Sequence, residues 1–230
     1  MKKILMLLNV VFLCGCIYEM PGVCTDMDEK RILINIGREF GSGGKQIAIK
    51  IGEKLGIKVY DNELISKAAE ESGFSKELFE RSDEKRSIWG ISSFFGNMRF
   101  GSAQNYVGDN ELFKIQSEVI RNIAGRESAI FVGRCSNYIL RDMECLDVFI
   151  TAPLEDRVRR VAERTGLDED EARTRIERQD RTRSTYYNFF TFGNWGSAQD
   201  YDLCINSSLL GIEGTADYII DFGKRAGYIG

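Results

Sequence analysis

The stretch ILINIGREFGSGGKQ, residues 32–46, decides the fold of this chain. A short apolar run, Ile32–Ile36, leads into a glycine-rich segment, Gly37–Gly44. Apolar residues then recur at every fourth position, which is the spacing of one face of a helix. The pattern stops at Gly56, a residue type that commonly ends helices. The sequence therefore predicts a strand, a loop and a helix in that order.

Further short apolar runs have the length of buried strands and alternate with segments of helical period. They are Lys58–Tyr60, Ala129–Val132, Asp147–Ile150 and Tyr201–Ile205, and a last helix is predicted near Ile212–Phe222. Short apolar strands that alternate with helices indicate a parallel sheet covered by helices on both faces. We therefore predict an α/β fold with about five parallel strands.

Composition excludes several classes of protein. The chain has 230 residues, 43% of them hydrophobic, a formal net charge of −4 and no histidine. Without histidine it cannot use a Ser-His-Asp or Cys-His mechanism or a His-ligated zinc site. It has no apolar run near the roughly 20 residues of a membrane span, which excludes a polytopic membrane protein. Its acidic balance also argues against a general nucleic-acid binder.

The loop that follows the first strand has the composition of a phosphate-binding loop. Glycines let successive backbone N–H groups face a phosphate without side-chain clash, and the next helix presents its positive end. The alternative is a glycine-rich turn that only packs tightly. The residues predicted to bind phosphate are Gly41, Ser42, Gly43, Gly44, Lys45 and Gln46.

The register of the loop lysine stays open. If Lys45 is the lysine of a Walker A motif, Glu39 stands where the motif has its first glycine, and Gln46 where Ser or Thr would hold Mg²⁺. In the register one residue earlier, Gly41-Ser42-Gly43 fits the motif and Gly44 occupies the lysine position. The loop is an imperfect Walker A motif in both registers.

Several motifs along the chain resemble, in the same order, the cytidylate kinase-like family of bacterial P-loop kinases. They are IGREFGSGGKQIA from Ile36, KVYDNELI at 58–65, FVGRCSNYIL at 131–140, VFITAPLEDRVRRV at 148–161, DRTRSTYYNFFT at 180–191 and YDLCINSSLLGIEG at 201–214. The resemblance implies phosphoryl transfer from ATP, with Mg²⁺, to a nucleoside monophosphate, CMP or dCMP. It also implies a monophosphate-binding insertion and an arginine-rich lid.

The resemblance gives roles to individual residues. Asp61 matches the acidic residue of the monophosphate site, although it is equally suited to cap the next helix. Arg134 matches a substrate-binding arginine, followed by Cys135 where the family's enzymes have Asp, a departure that leaves cytosine recognition open. Arg181 and Arg183 match the lid arginines that clamp the transferring phosphoryl group. With Lys45, these two lid arginines are the predicted catalytic residues.

Other assignments keep alternatives. Arg157 and Arg160, about one helical turn apart, either bind substrate or lie on a solvated helix face. The aromatic run at 186–195 is predicted to be core or an oligomer contact, with a base-stacking platform as the alternative. No residue is assigned to Mg²⁺, and both a monomer and a homo-oligomer fit. The alternative function is a nucleotide-binding or sensor protein that has lost transfer.

The predicted domain covers residues 31–230, with a flexible insertion at 86–108 and a lid region at 165–200. Residues 1–30 are predicted to be an N-terminal extension or a signal-like segment. Two lysines there precede an apolar run, and Leu13-Cys14-Gly15-Cys16 is typical of a lipoprotein lipidation site. Because ATP chemistry belongs in the cytosol, we predict a cytoplasmic protein, with a lipid anchor on Cys16 outside the cytoplasm as the alternative.

Overall fold

The computed structural model describes residues 31–71 and 106–230. The predicted extension at 1–30 lies outside these residues, as does the predicted insertion up to residue 105. Residues 106–108, assigned to that insertion, belong to a helix instead. All described residues fall within one compact unit.

Five strands and seven helices, numbered here in chain order, make up the described part of the chain. They are β1 Leu33–Arg38, α1 Gly44–Leu55, β2 Lys58–Tyr60, α2 Asn62–Glu71, α3 Tyr106–Ala124, β3 Ala129–Val132, α4 Ser136–Ile139, β4 Leu146–Thr151, α5 Leu154–Thr165, α6 Glu169–Thr191, β5 Leu203–Asn206 and α7 Ser207–Arg225. A 3₁₀ turn at Ala198–Asp200 precedes β5. None of the helices described is both long and apolar enough to cross a membrane.

The strands form one sheet in the order β2-β3-β1-β4-β5, and every neighbouring pair is parallel. This confirms the predicted five-stranded α/β fold. All carboxyl ends of the strands lie at one edge, where open sheets of this type bind their ligands. The chain passes to one side of β1 for β2 and β3, and to the other side for β4 and β5. The loop after β1 therefore lies where the strand order reverses.

Side chains that alternate along β1 point to opposite faces of the sheet. Ile34 and Ile36 pack in one apolar cluster with residues of α1 and α7, whereas Leu33 packs in another with residues of α2 and α3. Each fully buried side chain of this size contributes about 1.5–3 kcal/mol to stability. These two layers keep the central strand, and the loop that follows it, in a fixed position.

Several element boundaries differ from the sequence prediction, and two of them affect the loop and the helix that packs behind it. β1 continues to Arg38 rather than ending at Ile36, because Gly37 and Arg38 pair with Phe149 and Ile150 of β4. The loop proper is therefore shorter and starts at Glu39. α7 begins at Ser207 rather than near Ile212. Its period is interrupted by Gly211, whose φ of 66° and ψ of −175° are not helical.

Candidate active site

The first turn of α1 offers unpaired backbone donors. Gly43, the residue before the helix, has a left-handed φ of 84° and supplies no side-chain cap, and the first turn holds no acidic residue. The amides of Gly41 and of residues 43–46 have no acceptor among the residues described. Free amides at the positive end of a helix attract anions. The loop thus has the geometry of a phosphate site.

Residues of α5 and α7 hold the loop in place through the carbonyl oxygen of Ser42. The carbonyl oxygen of Ser42 accepts hydrogen bonds from Ser207 Oγ at 2.6 Å and from Arg160 Nη1 at 3.3 Å. Arg160 also donates to the hydroxyls of Ser207 and Ser208, both at 3.1 Å. Arg160 therefore links the loop to the start of α7, and its contact with substrate stays a prediction.

Glu39 fixes the other end of the loop. Its Oε2 accepts hydrogen bonds from Thr151 Oγ1 at 2.5 Å and from the Ala152 amide at 3.2 Å. The Glu39 amide donates to the carbonyl oxygen of Ile150 at 3.1 Å. The residue that replaces the first glycine of the Walker A motif thus ties the loop to the end of β4.

Arg157 is not on a solvated face, so that alternative is wrong. The residue is 8% exposed, and its Nη1 donates to Asp180 Oδ2 at 2.5 Å and to the Phe40 carbonyl oxygen at 3.3 Å. Asp180 Oδ1 accepts from the Phe40 amide at 2.7 Å. Together, Arg157 and Asp180 form hydrogen bonds with the backbone carbonyl and amide groups of Phe40, and so join α5 and α6 to the loop.

Lys45 and Asp61 form an ion pair, with 2.6 Å between Nζ and Oδ2. Asp61 Oδ1 also accepts from the amides of Glu63 and Leu64 at 3.1 Å, which confirms that it caps α2. Burial by itself would raise the pKa of Asp61, but the hydrogen bonds from Lys45 and the two amides outweigh it and lower that pKa. The same hydrogen bond raises the pKa of Lys45.

Three arginines meet beside the loop. Arg183 Nη1 donates to the carbonyl oxygen of Arg38 at 3.1 Å, and Arg134 follows β3 with a left-handed φ of 59°. Burial lowers the pKa of Arg38 well below its usual value, and the charges of Arg183 and Arg134 lower it further. Arg181 is exposed. The structure thus brings Arg134 and Arg183 to the loop but leaves Arg181 at the surface.

Most of the aromatic run is core, as predicted. Tyr186 and Tyr187 are buried with Cys135, and Phe190 stacks on Phe113 of α3 with ring centroids 4.1 Å apart. Phe189 and Phe192 are the exceptions, with 38% and 93% of their surface exposed. Burial raises the pKa of Cys135 to about 12, so this residue is a neutral thiol at the position where the sequence resemblance implies Asp.

Sequence reasoning missed three residues near the site. The sequence pattern places Arg38 in the loop, because the apolar run of the first strand ends at Ile36. Asp180 gave no indication that it would be largely shielded from solvent by an ion pair, since its partner Arg157 lies on another helix. Gln116, fully buried, accepts a hydrogen bond from Tyr186 Oη at 3.2 Å. A polar residue on the apolar face of α3 was the available indication for Gln116.

The sheet order, the uncapped glycine loop and the arginines around it define a P-loop kinase type of fold. Residues 33–209 match the Cytidylate kinase-like family. The chain belongs to this family. It is 28% identical over 183 residues to the cytidylate kinase of Methanopyrus kandleri, covering 77% of this chain and 85% of that protein. With the cytidylate kinase of Pyrococcus horikoshii it shares 27% identity over 190 residues, 82% of this chain and 86% of that one.

Solved structures give the same fold. An uncharacterized protein from Eubacterium ventriosum superposes with a TM-score of 0.64 at 29% identity, covering 84% of this chain and 98% of that one. Shikimate kinase from Bacteroides thetaiotaomicron reaches a TM-score of 0.50 at 13% identity, with the same coverage. The curated relatives named above are archaeal, so they do not support the bacterial origin contained in the sequence resemblance.

Proposed function

We propose that the protein transfers the γ-phosphoryl group of ATP to a nucleoside monophosphate, with CMP or dCMP as the expected acceptor. The observation that carries this proposal is the uncapped start of α1, whose free amides lie in the loop that directly follows Arg38, the residue contacted by Arg183. Membership of the Cytidylate kinase-like family supports the same activity.

The chemistry suits a site without histidine. A phosphate oxygen of the acceptor attacks the γ-phosphorus of ATP, the bond from that phosphorus to the bridging oxygen breaks, and ADP leaves. The acceptor phosphate has a second pKa near 6, so it is mostly a dianion at neutral pH and needs no general base. Catalysis then depends on position and on neutralising charge, for which forked guanidinium groups are well suited.

We assign the donor phosphates to the loop at residues 41–46, and the transferring group to Lys45, Arg181 and Arg183. Lys45 would exchange Asp61 for phosphate, while Arg181 would reach the site only after α6 moves. The acceptor nucleotide is assigned to Arg134, which would bind its phosphate, and to Asp61, which as a carboxylate would accept hydrogen bonds from other groups of that nucleotide. Arg160 and Arg157 support the loop through the hydrogen bonds described above, and direct substrate contact by them is not needed.

Mg²⁺ is proposed to be bound together with ATP. Such an ion usually takes its ligands from the substrate phosphates, water and one or two carboxylates. The described residues hold no cluster of three His, Cys, Asp or Glu side chains. Asp61 beside Lys45 and the amide oxygen of Gln46 are hard oxygen ligands close to the loop and fit this limited role. Mg²⁺ would neutralise charge on the donor phosphates.

Residue 135 does not by itself select the acceptor base. Cys135 presents a neutral thiol where a carboxylate would accept a hydrogen bond from an amino group. The choice among CMP, dCMP, UMP and AMP therefore rests on other groups. ADP formation measured with each of these four acceptors, in the presence and absence of Mg²⁺, tests both the activity and its specificity.

A nucleotide-binding protein without transfer is the second candidate. The ion pair between Lys45 and Asp61 and the residues Glu39 and Gln46 in the loop are the observations that favour it. This candidate predicts ATP binding without ADP formation for all four acceptors.

We propose the cytosol as the site of action, because that is where ATP is supplied. A lipid anchor on Cys16 is the alternative. Palmitate labelling that disappears in Cys16→Ser, with the protein in the membrane fraction, would establish that alternative.

A further inference from the structure

Arg38 occupies the space that a side chain at residue 44 would need. A Cβ atom added to Gly44 would lie 2.6 Å from Arg38 Cβ and 2.8 Å from its Cγ. The backbone of Gly44 does not require glycine, since it is not among the residues with positive φ. The glycine is therefore explained by the arginine that crosses it.

The far end of Arg38 rests on the turn after β3. A Cβ atom on Gly133 would lie 2.9 Å from Arg38 Cζ and would overlap its Nη1. Gly133 directly precedes Arg134, and the Arg38 carbonyl oxygen accepts the hydrogen bond from Arg183. Arg38 thus runs from the start of α1 to the turn that carries Arg134, so that β1, the β3 turn and α6 each bring one guanidinium to the same place.

Within the described residues, two of these three arginines have no carboxylate at ion-pair distance, while Asp180 acts on the third, Arg183. Neither Arg38 nor Arg134 forms an ion pair with a carboxylate of the described residues. Asp61 acts on Arg38 from a greater distance, and it is already bound to Lys45. A partly buried guanidinium beside two others destabilises the fold unless an anion offsets its charge.

We propose that Arg38 is a phosphate-binding residue, and that Arg38, Arg134 and Arg183 together bind the phosphate groups where donor and acceptor meet. This inference rests on the proposed function and specifies the cations of that same site. The aliphatic part of Arg38 crosses the loop at Gly44, and its guanidinium lies at the turn after β3, directly beside the residue that precedes Arg134. Its guanidinium presents a planar fork of donors that suits phosphate oxygens.

The test is the binding of inorganic tripolyphosphate, measured by calorimetry on the full chain without turnover. Arg38→Gln should bind it at least tenfold more weakly than the wild type. Its melting temperature should stay the same or rise, because an uncompensated charge is removed. Arg225→Gln, which breaks an exposed ion pair with Asp221 at the end of α7, is the matched control and should bind as the wild type does.

Gly44→Ala provides a second variant that keeps every charge and every backbone amide. The added methyl group must displace Arg38, so affinity for tripolyphosphate should fall here too. Wild-type affinity in Gly44→Ala, or affinity within twofold of wild type in Arg38→Gln together with a lower melting temperature, would overturn the proposal and make Arg38 structural. No binding of tripolyphosphate by the wild type would also overturn it. Arg38-dependent binding without ADP formation would reject the proposed function and leave this site standing.

Discussion

Lys45 and Asp61 form an ion pair that each of them can leave for, or combine with, a second interaction. The Lys45 side chain is 59% exposed and that of Asp61 is 14% exposed, so their pair lies at the border of solvent. Ion pairs in such positions contribute only about 0.2–1 kcal/mol. Lys45 can therefore exchange its carboxylate for a phosphate group at small cost, and Asp61 keeps its two amide hydrogen bonds as the cap of α2.

Replacing Lys45 with alanine tests its role in transfer. We expect Lys45→Ala to lose about 2–4 kcal/mol of transition-state stabilisation, the scale of one preorganised electrostatic donor. This corresponds to a fall in kcat/KM of about 30- to 1000-fold. Lys50→Ala, which breaks an exposed pair with Glu53 on the same helix, is the control and should leave kcat/KM unchanged. ATP binding and turnover at wild-type levels in Lys45→Ala would remove Lys45 from the site.

At the scale of elements, one face of α6 contacts the end of β1 and the loop, and another face is exposed to solvent. Asp180 and Arg183, three residues apart, both contact the segment between the end of β1 and the loop, whereas Arg181 between them is exposed. The first pair of contacts fixes the helix, and the exposed arginine is available only if the helix moves.

Replacing either of the predicted lid arginines should therefore lower kcat more than it raises KM, with a larger loss of kcat for Arg183 than for Arg181. Arg183→Gln should lower kcat by about 10²- to 10³-fold with a smaller change in the KM for ATP. Arg181→Gln should lower kcat less, and again more than it raises KM, since it acts only on closure. The exposed Arg178 on the same helix supplies the control, Arg178→Gln. An equal loss of ground-state nucleotide binding in both variants would assign these arginines to a static site.

The buried pair of Asp180 and Arg157 should support stability rather than chemistry. Asp180→Asn removes the closer of the two carboxylates at the buried Arg157 guanidinium, leaving only Glu39 at 3.6 Å from Nε, and should lower the free energy of unfolding by about 2–3 kcal/mol. Arg173→Gln, which breaks an exposed pair with Glu155, should change it by less than about 0.5 kcal/mol. Urea unfolding of both variants measures the difference, and equal effects would show that Asp180 has no special place in joining α6 to the loop.

At the scale of the whole molecule, two central strands of the sheet share a hydrogen bond that includes a titratable carboxyl group. Asn35 Nδ2 of β1 donates to Asp147 Oδ1 of β4 at 2.7 Å. Burial raises the pKa of Asp147 to about 6, the hydrogen bond from Asn35 opposes this, and the charge of Asp202 adds to it. The folded state thus binds this proton more tightly than the unfolded chain, whose aspartates titrate near pH 3.9.

Stability should consequently fall as the pH rises from about 4 to about 6, and remain at the lower level above that. Asp147→Asn removes this dependence. Its free energy of unfolding, relative to the wild type, should be higher at pH 7.5 than at pH 4.5 by about 1–2 kcal/mol, a figure reduced for partial solvent exposure. Urea unfolding at the two pH values, with the exposed Asp221→Asn as the control, checks this. A difference that is the same at both pH values would contradict it.

Local patterns predicted most of the framework, and long-range contacts account for what they missed. The strands β2 and β3 have the predicted bounds, and Gly56 ends α1 with a φ of 68°. The role of Arg38 could not be predicted, because strand pairing with β4 moves it from loop to strand. The burial of Arg157 depends on Asp180, which lies 23 residues further along the chain. Periodicity within a segment contains no information on such partners.

The central claim is transfer of a phosphoryl group to a nucleoside monophosphate, and the most direct measurement follows that group. The protein is incubated with Mg²⁺, ATP labelled with ³²P at the γ position and CMP, dCMP, UMP or AMP in turn, and the nucleotides are separated. We predict label in the nucleoside diphosphate of CMP or dCMP, formed in equal amount with ADP and dependent on Mg²⁺. ATP binding without labelled diphosphate from any of the four acceptors would contradict the claim and leave a nucleotide-binding protein.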